Sequence, residues 1–439
     1  MVRLIRFLGI SAVRIFYRRI VVSGAERIPA RGPVVVVANH PNGLLDPVLI
    51  GIALRRPVAM LAKSTLFTNA VGRAAMRAFL AIPVYRSMDA EDTARNEETF
   101  ERCRALLAQG GWLALFPEGT SHSDSTLRPL KTGAARIVLS TEAAAGFGLG
   151  TRILPLGLLY ESKQTFRSRA AVVVGEPIAL ASYADRFASD DRACVRELTA
   201  KVDWALSEVV IEAESRDLWR GLLAVAAWTA PDGGRDLAAR EARARLLARA
   251  YRALYARDPA RADAVVEEVQ RFDRALRSVG VTDPFALEVE AAPARFLGAT
   301  VKLLPLLPLA ALGAALGWIP YRLVRPAARR LAGGHTDLVS TYKVLLGFVA
   351  LLAAYVAEAI VAAVIFNRPA ALAVLVAAPL LGMVAIRVGE RLRLRRQALH
   401  AWWIRLSRGQ VTRELSQRRR ELCAEVEAAL VASGGQAPR

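Results

Sequence analysis

Two apolar runs limit what this chain can fold into. VLLGFVALLAAYVAEAIVAAVIF (344–366) carries one charge, Glu358, and PAALAVLVAAPLLGMVAI (369–386) carries none. Only Asn367 and Arg368 separate them. A helix of about 20 apolar residues crosses the hydrocarbon layer of a bilayer. Two in tandem exceed what the core of a large soluble protein ordinarily takes, so the pair reads as a transmembrane helical hairpin. The preceding stretch FLGATVKLLPLLPLAALGAALGWIPY (296–321) is broken by Lys302, Pro305, Pro308 and Pro320. A straight span is a poor description of it; a re-entrant or interfacial segment fits, and the whole of 296–386 reads as membrane-embedded.

Charge gives the topology. Arg322, Arg325, Arg329, Arg330 and Lys343 lie between the broken segment and the hairpin, and RVGERLRLRR opens the basic tail 387–439. Basic flanks stay inside, which puts both on the cytoplasmic side (the inner membrane in a bacterium) and makes the hairpin enter and leave from one face. The chain as a whole has 60 Lys and Arg against 40 Asp and Glu, a net charge of +20, with 54% hydrophobic residues. Such a charge suits a polyanion. Its clustering beside apolar runs favours anionic lipid over nucleic acid, and it puts Trp402 and Trp403 at the membrane interface. Cys103, Cys194 and Cys423 are far apart, odd in number and outside any CxxC pattern, which argues against a disulfide framework or a zinc site and fits a reducing compartment. The opening MVRLIRFLGISAVRIFYRRI is cut by Arg6 and Arg14 and lacks a small-residue cleavage site. It reads as a basic amphipathic interfacial helix over 1–20, not as a signal peptide.

Residues 21–181 have another character. VVVV (34–37), AIPVY (81–85), WLALF (112–116), ILPLGLLY (153–160) and AAVVVG (170–175) are strand-like, and helical stretches near 46–56, 66–79, 92–109 and 129–145 alternate with them. Short apolar runs bounded by Gly and Pro are typical of strands covered on both faces. The alternation predicts an α/β layered domain with a mixed sheet flanked by helices. Residues 182–295 interleave charge and apolar residues at helical spacing and read as a helical subdomain without a catalytic motif.

The chemistry sits at the ends of the strands. In VVVVANHPNGLLDP, His40 follows a buried run, and Asp46 is a carboxylate placed to orient an imidazole base. Arg86 follows AIPVY; Glu118 and Gly119 follow WLALF; Pro155 lies inside ILPLGLLY. In a layered sheet these ends converge on one edge, where α/β folds bind ligands. A guanidinium there suits a phosphate, and Lys131 in RPLKTG offers a second cation. His122 and Asp124, in TSHSD, invite a triad with Ser121 or Ser123, but no strand-to-helix nucleophile elbow surrounds them, so they read as a polar loop.

Taken together, NH…D, the arginine after a strand, FPEGT and the later Pro-containing strand resemble the four blocks of the glycerolipid acyltransferases, a family that includes glycerol-3-phosphate and lysophosphatidate acyltransferases. The resemblance covers about residues 20–180. FPEGTSHSDSTLRPLKTGAARIVL is most similar to the fungal-type glycerol-3-phosphate/dihydroxyacetone-phosphate branch, which also carries a C-terminal membrane region. One departure is the turn PNGLL, a residue longer than the usual spacer between the histidine and the aspartate. The resemblance implies an integral membrane O-acyltransferase of phospholipid biosynthesis. His40 and Asp46 would be its catalytic pair, Arg86 and Lys131 would hold the acceptor phosphate, and Glu118, Gly119 and Pro155 would shape the acceptor site. It also implies acyl-CoA or acyl carrier protein as donor, glycerol-3-phosphate or a lysophospholipid as acceptor, and no metal or other cofactor. A non-catalytic lipid-binding scaffold that keeps the fold is the competing expectation.

Overall fold

The computed structural model describes residues 2–85, 96–230, 236–281 and 301–432. They form two compact units, one of Met1–Arg216 with His335–Thr341, the other of Asp217–Gly334 with Tyr342–Arg439.

In the first unit, helix α1 (Val2–Phe16) leads into strand β1 (Tyr17–Ser23). Then follow β2 (Val34–Ala38), α2 (Leu45–Leu54), β3 (Ala59–Lys63), α3 (Ala70–Ala78), β4 (Ala81–Val84), α4 (Asn96–Ala108), β5 (Trp112–Leu115) and α5 (Gly133–Ala144). The unit continues with β6 (Arg152–Tyr160), β7 (Ser168–Val174), β8 (Ile178–Ala179), α6 (Ala184–Phe187) and α7 (Asp191–Ser207). The strands make one mixed sheet in the order β1-β7-β6-β2-β5-β3-β4, with β8 beside β6. β7 and β8 run antiparallel to β6; the other pairings are parallel. The four valines of β2 have no exposed surface, as befits a β-branched run at the centre of a sheet with both faces covered.

Three local features depart from the reading of the sequence. The interfacial helix expected over 1–20 ends at Phe16, and Tyr17–Ser23 is an edge strand paired with β7. Val13 and Phe16 are buried while Leu4 and Phe7 are exposed, so α1 packs one side inward and leaves apolar side chains outside. β3, in AMLAK, pairs with both β4 and β5. Its run carries no β-branched residue, which removed the usual signal. The boundary expected at 181 falls too early: α7 packs on α5 and β6, and Ala213 N donates to Ser125 O at 3.0 Å.

The second unit contains α8 (Arg216–Trp228), α9 (Leu237–Arg257), α10 (Pro259–Ser278), α11 (Leu307–Leu316), α12 (Trp318–Leu331), α13 (Val339–Ile365), α14 (Arg368–Ser407) and α15 (Gly409–Ala432), except that α8 and α13 begin in residues of the first. α13 and α14 are long and apolar enough to cross a membrane. Asn367 ends one and caps the other, its side chain accepting from Ala370 N at 2.9 Å. The broken segment bends by 47° between its two helices, at Gly317, and runs on to Leu331 instead of stopping at 321. The tail expected from 387 is helical through Ser407 and again over Gly409–Ala432. Gly313 of α11 lies so close to α14 that a Cβ there would come within 2.1 Å of Leu381 O. Small residues permit such approach between apolar helices.

Candidate active site

β2, β5 and β6 are adjacent and parallel in part of their length, so their C-terminal ends share one edge of the sheet. Asn39, at the end of β2, fastens that edge: its amide donates to Leu158 O at 3.1 Å and accepts from Leu158 N at 2.7 Å. His40 follows. Its ring stacks on Phe116, with centroids 3.8 Å apart and planes 7° from parallel. Its Nδ1 lies 2.8 Å from Asp46 Oδ2. The longer PNGLL turn therefore brings Asp46 back to the imidazole, using a positive φ at Gly43 to do so.

Asp46 has no exposed side-chain surface, whereas His40 keeps 16% of its own. Besides His40, the aspartate accepts from Asn42 N at 2.7 Å and from the Tyr160 hydroxyl at 2.5 Å. Asn42 Nδ2 donates to the Tyr17 hydroxyl at 2.7 Å, which in turn donates to Lys163 O. Burial pushes both phenols well above their ordinary pKa, and the Asp46 charge adds to the effect, so both stay protonated donors. A carboxylate so supplied with donors holds Nδ1–H and leaves Nε2 with its lone pair. Among the described residues no hydrogen bond occupies Nε2. This arrangement can accept a proton from a hydroxyl presented at the sheet edge.

Glu118 lies in the loop after β5, its side chain wholly enclosed. Its oxygens accept from His40 N at 3.1 Å and Arg128 N at 2.8 Å, and the His122 ring bonds to it as well. Glu118 therefore shapes the site by tying two loops together. His122 is part of that tie, and the polar-loop reading missed it. His122 N donates to His40 O at 3.1 Å, and Nδ1 accepts from Asp124 N at 3.2 Å. Its scarcity, as one of four histidines, was the available signal. Gly119, at φ +78°, carries the side chain of Lys131 against its α-carbon: a Cβ there would come within 2.7 Å of Lys131 Nζ. The structure thus brings together His40, Asp46, Glu118, Gly119 and Lys131. Pro155 is buried inside β6 opposite Val37 and touches Gly175, away from any accessible surface. Arg86 lies outside the described residues.

Burial pushes the Cys103 thiol up to about 12, which keeps it from acting as a thiolate. Among the described residues no group of three or more His, Cys, Asp or Glu side chains is arranged to hold a metal ion.

Residues 19–158 match the family model described as Acyltransferase. Among curated proteins the chain is similar to glycerol-3-phosphate O-acyltransferase 2 of Saccharomyces cerevisiae, at 34% identity over 123 residues, 28% of this chain and 16% of the yeast protein. It is also similar to the 1-acyl-sn-glycerol-3-phosphate acyltransferase of Borreliella burgdorferi, at 28% identity over 152 residues, 34% of this chain and 54% of that one. The aligned stretches thus span about one sixth to one half of these relatives. The crystal structure of the 1-acyl-sn-glycerophosphate acyltransferase of Thermotoga maritima aligns with a TM-score of 0.32 and 21% identity, over 46% of this chain and 77% of that chain.

Proposed function

We propose that the protein is a membrane-bound O-acyltransferase of glycerolipid synthesis. It moves a fatty acyl group from an acyl thioester, on coenzyme A or acyl carrier protein, to a hydroxyl of glycerol-3-phosphate or 1-acylglycerol-3-phosphate. The observation that carries this reading is the His40–Asp46 pair, with the aspartate enclosed and the imidazole open at the sheet edge. The named relatives act, by their names, on those two acceptors.

In the reaction His40 Nε2 takes the proton of the acceptor hydroxyl as its oxygen attacks the thioester carbonyl. The tetrahedral intermediate expels the thiolate, which leaves with the proton returned from the imidazolium. Asp46 holds the ring and balances its transient charge. Lys131, beside Gly119, and Arg86 are the cations for the acceptor phosphate. The two substrates and these side chains complete the chemistry, so neither a metal nor a covalent acyl-enzyme enters it. The apolar helices α13 and α14 anchor the protein in the membrane, with the α/β unit on the cytoplasmic side, where lysophospholipid and product exchange with lipid.

The test is acyl transfer by membranes containing the protein, with glycerol-3-phosphate and lysophosphatidate offered separately. Wild-type protein should acylate one of them and His40→Ala should not. Undiminished transfer by His40→Ala would refute the mechanism, and no transfer to either acceptor would favour a lipid-binding scaffold.

A further inference from the structure

Residues 335–341, HTDLVST, come from far along the chain, between the end of α12 and the first turn of α13, yet they belong to the α/β unit. They touch three segments that build the site. Ser121 Oγ donates to Asp337 Oδ2 at 2.5 Å, and Thr336 Oγ1 donates to Ser123 Oγ at 2.7 Å, so the two bonds land on either side of His122. Ser340 Oγ donates to Lys163 O at 2.7 Å, the carbonyl that also receives the Tyr17 hydroxyl. At Gly43, in the turn between His40 and Asp46, a Cβ would stand 2.9 Å from Leu338 Cδ2, 3.1 Å from Thr341 Oγ1 and 3.3 Å from Asp337 O. Asp337, Ser340 and Thr341 are all buried.

We propose that His335–Thr341 is a brace of the active site and that Asp337 is a positioning residue: by holding Ser121 it sets the Glu118–Gly119–Lys131 corner that receives the acceptor's phosphate. The assignment of that corner rests on the function proposed above. The argument is one of register. Ser121 is two residues from Gly119, and Lys131 is seated on Gly119, so a shift at Ser121 is passed directly to the cation. The His40 ring itself is held from outside that corner, by Asp46 at Nδ1 and by Phe116 against its face. Loss of the Asp337 bond therefore weakens acceptor binding and spares the chemical step. It also explains why a stretch of chain from among the apolar helices is folded into the α/β unit.

The experiment uses the full-length protein in detergent or membranes, as wild type, Asp337→Ala, Asp337→Asn and Ser121→Ala. In Asp337→Ala, amide hydrogen exchange over residues 119–123 should accelerate about tenfold, and KM for the phosphorylated acceptor should rise by about 5- to 20-fold, the order expected when one hydrogen bond is lost. The value of kcat should stay within about twofold and KM for the acyl donor should not move. Asp337→Asn keeps an acceptor oxygen and should recover most of the loss; Ser121→Ala should reproduce it, and the double variant should add little. Unchanged exchange over 119–123 in Asp337→Ala would overturn the proposal. So would a fall in kcat and in unfolding temperature with acceptor KM unmoved, which is the mark of a merely structural contact. Wild-type protein inactive on every phosphorylated acceptor would refute the acyltransferase reading alone; the exchange measurement decides the brace in either case.

Discussion

Asp46 reaches His40 across a turn that lets its carboxylate disappear from solvent while the imidazole stays accessible: Oδ2 is 2.8 Å from Nδ1, with 0% of the one side chain and 16% of the other exposed. Asp46→Asn keeps the shape and removes the charge. The ring and Asn42 N share one oxygen of the aspartate and the Tyr160 hydroxyl has the other, so the amide must turn its NH2 group toward one side or the other, and facing the ring puts the proton on Nε2, the wrong nitrogen for a base. We expect kcat to fall by about 10²- to 10⁴-fold, the usual worth of positioned general-base catalysis, with acceptor KM within about twofold. Steady-state kinetics with saturating acyl donor make the measurement.

Tyr160 tests the next bond outward. Its hydroxyl donates to Asp46 at 2.5 Å. Tyr160→Phe leaves a buried carboxylate one donor short and loosens its hold on the imidazole. The value of kcat should fall by about tenfold, the order of a hydrogen bond to a charged group. A kcat equal to that of wild type would show that Tyr160 only fills space.

How far the sequence disclosed this site follows from the range of each interaction. His40 and Glu118 stand just after apolar strands, a position that periodicity can locate, and Asp46 opens the helix that follows the first of these turns. Tyr160 also ends a strand, but nothing local distinguishes a phenol that packs from one that donates to a carboxylate more than a hundred residues away. Tyr17 was hidden because it begins an edge strand directly after a helix, with no turn residue to separate them. The brace at 335–341 was beyond local reading altogether: its partners are Ser121, Ser123 and Lys163, and only the folded chain brings them together. The apolar helices, by contrast, were legible at once, since their signal is length and composition within one segment.

Alkaline pH should unfold the α/β unit through its buried phenols. The pKa values of Tyr17 and Tyr160 are raised by burial. In the unfolded chain a tyrosine ionises near pH ~10, so above that pH the unfolded state gives up protons that the native state retains. The stability tied to these groups is fully present below pH ~10 and is lost as pH rises further. Thermal unfolding of the detergent-solubilised protein between pH 8 and 11 should show the decline, and Tyr17→Phe should flatten it.

Glu118→Gln should act on fold and activity together. The enclosed carboxylate serves His40 N, Arg128 N and the His122 ring, and an amide has one acceptor oxygen too few for them. A donor left unpaired in the interior costs about 1–3 kcal/mol, so the unfolding midpoint should drop measurably. Because His40 N is among the donors, acyl transfer should fall as well, at temperatures where the variant is still folded. Full activity in a folded Glu118→Gln protein would separate the carboxylate from the positioning of His40.

The last prediction concerns the membrane. α13 ends at Ile365 and α14 begins at Arg368, with Asn367 as its cap, so the turn between them is too short to hold more than a reversal of direction. Arginines crowd the end of α12 and the part of α14 from Arg387 onward, and both should lie on the cytoplasmic face. A reporter inserted at Gly334 and one inserted after Ser407 should therefore read cytoplasmic, and one inserted at Asn367 should read the opposite side. Replacing Arg391, Arg393, Arg395 and Arg396 by glutamine should weaken that orientation, because it removes the positive charge that holds the end of the hairpin inside. If the Asn367 reporter reads cytoplasmic, α13 and α14 lie along the membrane surface instead of crossing it.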